Sequence, residues 1–231
     1  MHLSNKLRGL VLAASAAALL VAPATTAAHG RHHHHPRWFA NRIIGTAGDD
    51  LIRARRGGDT VWGRAGNDEL HGNRGRDWLF GQLGNDKLLG GWGNDRVDGG
   101  PGDDTIYGGP GNDLLLGASG NDTIFGGPGF DALHGGSGDD TLHGGLNGDR
   151  LFGGSGADTL NGGRGRDLLV GGSDADTLNG GVGNDLIRAA GDGAIDSVDC
   201  GDGTDRAVVD PTDVVVGGCE VIVIIVPPDP V

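Results

Sequence analysis

The sequence predicts an all-β fold, a parallel β-solenoid. Three observations predict it: a nine-residue period that never slips, an aspartate held at one position of that period, and an aliphatic residue held at another. From Gly45 to Arg188 the chain divides into sixteen consecutive nonapeptides without insertion or deletion. With each unit numbered from 1 to 9, position 6 is Asp in all of them: Asp50, Asp59, Asp68, Asp77, Asp86, Asp95, Asp104, Asp113, Asp122, Asp131, Asp140, Asp149, Asp158, Asp167, Asp176 and Asp185. Position 8 is always Ile, Val or Leu, from Ile52 and Val61 to Leu178 and Ile187. One inward aliphatic between two outward neighbours makes a three-residue strand, and the Gly-rich residues before it make a turn, so each nonapeptide is half a coil. Two units close a coil, and eight coils stacked at strand spacing rise about 35 to 40 Å.

Glycine marks the turns. Position 1 is Gly except at Ala54, and position 4 is Gly except at Asn147 and Asp174. Position 2 is Gly in ten units, with Ala118 one exception and Thr46, Arg55, Arg64, Asn73 and Gln82 in the first five. Gly accepts positive φ most readily and Asn or Asp come next, so the turn geometry is expected to hold throughout and to be weakest at the N-terminal end. Each turn should lie over the turn 18 residues earlier, Asp104 on Asp122 and Asp122 on Asp140. Such columns of carboxylates repel, and the glycine carbonyls aim more oxygen into the same gap. A hard divalent cation resolves both problems. Ca²⁺ accepts about six to eight oxygens in flexible geometry, whereas Mg²⁺ gives up its water reluctantly.

The consensus G-G-x-G-x-D-x-U-x, with U a large aliphatic, resembles the calcium-binding nonapeptide repeat of RTX (hemolysin-type) proteins, and the likeness covers all 144 residues of the repeat region. The resemblance implies a calcium-bound parallel β-roll, a right-handed β-solenoid, of about eight two-repeat turns. The sixteen position-6 aspartates would supply carboxylates, and the Gly-x-Gly-x backbone would supply carbonyls. The glycines so implied are Gly91, Gly93, Gly100, Gly102, Gly109, Gly111, Gly127, Gly129, Gly136, Gly138, Gly154, Gly156, Gly163, Gly165, Gly181 and Gly183. Pairing each loop with the loop two units on allows at most about 14 Ca²⁺ ions. The repeats hold 22 Asp and Glu against 12 Lys and Arg, so full occupancy would overshoot neutrality. Filling is therefore expected to be graded, with the turns from Gly90 onward first and Arg55, Arg56, Arg64 and Arg76 weakening the early sites.

The rest of the chain frames the repeats. Lys6 and Arg8, the apolar run Leu10 to Ala22 and the small residues up to Ala28 read as a signal peptide over 1–28, which predicts a secreted, extracellular protein. That run is too short to span a bilayer. Residues 29–44 form a His-rich segment in which His32 to His35 are either a transition-metal chelator or a solvated spacer. Residues 189–231 are expected to be a cap: the period continues loosely through Asp196 and Val198, then Asp205 and Ala207. Cys200 and Cys219 are expected to form a disulfide that staples this cap. The run Val221 to Val226 would cover the open end of the core, and Pro227, Pro228 and Pro230 would stop further pairing.

Composition narrows the function. The chain of 231 residues holds 49 Gly and carries a formal charge of -13, which argues against nucleic acid and favours cations. No HExxH, GxSxG or P-loop occurs, and the flanks leave no room for a catalytic domain, so the chain reads as non-enzymatic. The expected role is a calcium-binding structural or adhesive module; the alternative is a substrate-binding or targeting module that serves a polysaccharide-modifying enzyme. On even-numbered units the outward positions are largely apolar, with Trp62, Trp78, Phe80, Leu114, Leu116 and Phe152 among them. That face suggests a cell-surface, matrix or self-association partner, or simply cross-strand packing. Odd units instead carry a file of threonines at 18-residue spacing, Thr105, Thr123, Thr141, Thr159 and Thr177.

Overall fold

The computed structural model describes residues 41–189 and 191–225; the segment 1–28 expected to be a signal peptide, the four-His run and the terminal prolines lie outside the described residues. Among the described residues all helix-or-strand structure is strand, arranged as two 11-stranded sheets. Through the repeats successive strands alternate between the sheets. One sheet starts with Arg42–Ile44, Thr60–Ala65 and Trp78–Leu83 and ends at Cys219–Ile224. The other starts with Leu51–Arg53, Glu69–Arg74 and Lys87–Trp92 and ends at Val214–Gly217. Every pairing is parallel, and within the repeats partners are 18 residues apart, as in Thr105↔Thr123 and Thr123↔Thr141. The expected alternation of half-coils is therefore the observed one: a parallel β-roll.

A strand with one apolar side chain can bury only that one, and the core is accordingly two files, one from each sheet. The position-8 residues from Val61 to Ile187 are fully buried, and Ile52 packs half-buried against them. Two features go beyond the sequence expectation. Most strands run six residues, because pairing continues through positions 1 to 3 of the next unit, as in Gly127↔Gly145 and Pro128↔Leu146. Identical turns superpose, so their backbones keep hydrogen bonding where a free loop would not. The roll also has about ten coils instead of eight. The strand Arg42–Ile44 stacks on Thr60–Trp62 ahead of the first nonapeptide. At the other end Ser197–Asp199, Asp205–Val209, Val214–Gly217 and Cys219–Ile224 extend both sheets. There the spacing stretches to 20 residues, as in Leu186↔Arg206. The Cys200–Cys219 disulfide forms as expected, with Cα atoms 5.2 Å apart.

Several outward rings stack along each sheet. Trp62 stacks on Phe80 with ring centroids 5.8 Å apart, and His134 stacks on Phe152 at 4.7 Å. On the other face Tyr107, Phe125 and His143 form one continuous stack. Of the even-unit apolar residues, Trp78 is the exposed one, while Trp62, Phe80, Leu114, Leu116 and Phe152 are half-buried by their cross-strand neighbours.

Candidate metal centre

The repeat places the position-6 aspartates in two columns, one along each edge of the roll, with one carboxylate per coil in each. From Asp59 to Asp185 they are at most 3% exposed. Their two oxygens have separate surroundings. Oδ1 accepts the backbone N–H of the aspartate one coil earlier: Asp104 N–H donates to Asp122 Oδ1 and Asp122 N–H to Asp140 Oδ1, both at 2.8 Å. The same rung runs from Asp50 N–H on Asp68 to Asp167 N–H on Asp185. Oδ2 has no hydrogen-bond partner in any aspartate of the columns from Asp68 to Asp185, and every one of these oxygens is buried.

The glycines shape the space around those oxygens. A Cβ on Gly117 would strike Asp122 Oδ2 and lie 2.7 Å from the Gly135 carbonyl oxygen, so position 1 admits only glycine where Oδ2 points that way. At positions 2 and 4 the backbone takes positive φ, as at Gly136 and Gly138, where a Cβ would strike the carbonyl oxygens of Ala118 and Gly120. Of the position-2 and position-4 glycines named above, all but Gly183 have positive φ. Asn147 and Asp174 keep it as expected, and so do Arg64, Asn73, Gln82 and Ala118 at position 2. The first two turns differ. There the N–H groups of Thr46 and Arg55 donate to Oδ2 of Asp50 and Asp59, and the second of these is the unit in which Ala54 replaces glycine.

Buried, unpartnered and stacked, these carboxyls resist ionisation. Burial pushes Asp104 up to about 8, with the charges of Asp122, Asp86 and Asp103 adding to the shift and the Asp86 N–H opposing it. Burial likewise raises Asp77, Asp113, Asp122, Asp149, Asp158 and Asp176 to about 7. Among the described residues the only salt bridges involve Glu69, so no Lys or Arg neutralises the columns. At neutral pH their charge must be balanced by protons or by a cation from solution. The donor set is oxygen throughout, which suits a hard ion such as Ca²⁺. No three His, Cys, Asp or Glu side chains converge among the described residues, so most of the coordination would fall to backbone carbonyls.

The columns do not stop at Asp185. Asp176 N–H donates to Asp196 Oδ1 and Asp185 N–H to Asp205 Oδ1, continued by Asp213 and Glu220 respectively. Sequence spacing flagged Asp196 and Asp205 as loose capping units but missed Asp213 and Glu220, which fall out of period. Cys200-Gly-Asp-Gly-Thr-Asp205 matches positions 1 to 6 except for its first residue and marks Asp205, but no such motif precedes Asp213 or Glu220.

A family model for the RTX calcium-binding nonapeptide repeat, built of four copies, matches residues 37–70, 62–97, 89–124, 116–151, 125–160 and 152–187. These matches run unbroken over 37–187, well over half of the chain, and the chain belongs to this family of calcium-binding repeats. A search of curated proteins finds no match.

Proposed function

We propose that this is a secreted protein whose β-roll folds on calcium and serves as an extracellular structural or adhesive module, without catalytic activity of its own. The observation that carries the reading is the double column of buried Oδ2 atoms without a hydrogen-bond partner from Asp68 to Asp185. A fold that gathers so many carboxylates away from water without a basic side chain needs a counter-ion as part of its structure wherever they are ionised. The position-6 aspartates would each give one oxygen, and the Gly-x-Gly-x carbonyls of successive coils would give the rest. The ions fill the Gly-rich turns from Gly90 onward first. Asp50 and Asp59, with Oδ2 already hydrogen-bonded, are the weakest positions. Export through the 1–28 signal would place the chain where calcium is abundant, and the Cys200–Cys219 disulfide suits an oxidising compartment.

The test is circular dichroism of the chain without residues 1–28, titrated with Ca²⁺ and then with EDTA. A β spectrum that appears with Ca²⁺ and collapses with EDTA is expected; a spectrum indifferent to both would sink the reading. The adhesive role predicts binding to cells or matrix that EDTA abolishes. Replacing Trp62, Trp78 and Phe80 together should weaken it.

A further inference from the structure

The two columns end differently. In the column that carries Asp176 and Asp196, the last carboxylates are consumed by hydrogen bonds. Asp213 accepts the N–H of Asp196 through Oδ1 and that of Asp210 through Oδ2, and Asp210 accepts the N–H groups of Gly191 and Gly193. A Cβ added at Gly191 or Gly193 would meet nothing within 4 Å, so the stacked cradle is gone. The column that carries Asp185 keeps it at positions 2 and 4, with Cys200 where the repeats have the position-1 glycine. Gly201 sits on Gly181 with positive φ, and Gly203 sits on Gly183 as Gly183 sits on Gly165; added Cβ atoms would strike the carbonyl oxygen below in each case. Asp205 is 1% exposed, and its Oδ2 is buried without partner like those in the repeats.

Above Asp205 the next turn is short. Gly218 stacks on Gly201, the register jumps between Asp205 and Arg206, and Glu220 follows at once. Its longer side chain spans the missing length: Glu220 Oε2 accepts the N–H of Asp205, the rung that Oδ1 of an aspartate makes everywhere else. Cys219, beside Glu220, is bonded to Cys200, which occupies position 1 of the Asp205 turn. The disulfide therefore clamps the short turn onto the full one.

We infer that Asp205 and Glu220 build a terminal divalent-cation site, beyond the last nonapeptide and outside the family match, which the Cys200–Cys219 bond holds closed. It rests on the calcium reading of the repeats. The Asp205 and Glu220 carboxylates and the carbonyls of the Gly201 and Gly203 turn give the same all-oxygen donor chemistry, with Glu220 as the solvent-facing lid of the column.

Calcium stoichiometry by equilibrium dialysis on the oxidised chain tests this with Asp205→Asn, Glu220→Gln and Asp213→Asn variants. D205N and E220Q should each bind one ion fewer than the unmodified chain, and D213N should bind the same number. Gln keeps an amide oxygen for the Asp205 N–H, so the E220Q cap stays folded, which hydrogen exchange at residues 205–209 would verify. The double variant Cys200→Ala/Cys219→Ala should weaken the same ion. Undiminished counts in both D205N and E220Q, or an ion lost from D213N as well, would overturn the inference while leaving the repeats' calcium intact. An unmodified chain that binds none would instead refute the reading on which it rests.

Discussion

At Asp122 one oxygen holds the coil before it and the other faces a gap that needs a cation, so a single substitution should act with opposite signs in two conditions. Asp122→Asn keeps an acceptor for the Asp104 N–H and removes a buried charge. With calcium chelated it should stabilise the roll; with calcium present it should lower both the stability and the number of ions, read from urea midpoints in EDTA and in Ca²⁺. Gly117→Ala puts a Cβ into the space that Oδ2 occupies and should cost about 1 to 3 kcal/mol in calcium, by the same measurement. Sixteen aspartates in period made the carboxylate columns legible from sequence. Which oxygen serves the rung and which is left bare was not, because that depends on the side-chain torsion the stacked N–H selects. Nor could spacing show that Thr46 and Arg55 turn the first two carboxylates aside.

Among the turns, those at the N-terminal end combine the repeat geometry with residues ill suited to it. Arg64 has φ 93° and Gln82 φ 81°, values that cost a residue with a Cβ and cost glycine little. Arg64→Gly and Gln82→Gly should each raise stability in calcium by about 0.5 to 1 kcal/mol, visible as a higher thermal midpoint. The position-8 aliphatics announced the strands, since one buried side chain per nine residues can only be a file. Their extension to six residues was hidden, because glycine at positions 1 and 2 carries no strand propensity and pairs only when an identical turn lies beneath it. Glu220 was hidden for a related reason: a contracted turn breaks the count, and only the folded chain shows a longer carboxylate reaching the same rung.

For the molecule as a whole, the aspartate columns tie shape to acidity. The carboxyls of Asp77, Asp104 and Asp122 titrate at about 7, 8 and 7 in the roll and near the ordinary 3.8 when unfolded. The native state thus holds more protons between these limits, so in chelator the stability gained from protonation is full below about pH 4 and is lost as pH rises through 6 to 8. The chelated chain should show β structure near pH 4.5 and lose it by pH 8, while with calcium it should stay folded at pH 8. Circular dichroism against pH decides this, and more β structure at pH 8 than at 4.5 in chelator would contradict it. The common 18-residue register also has a mechanical meaning. Pulled from its N-terminus, the chain should unwind in equal steps of one coil, each releasing about 60 Å of contour at the extended length per residue. The sawtooth would have a constant interval through the nonapeptides, until the crosslinked C-terminal coils ended it.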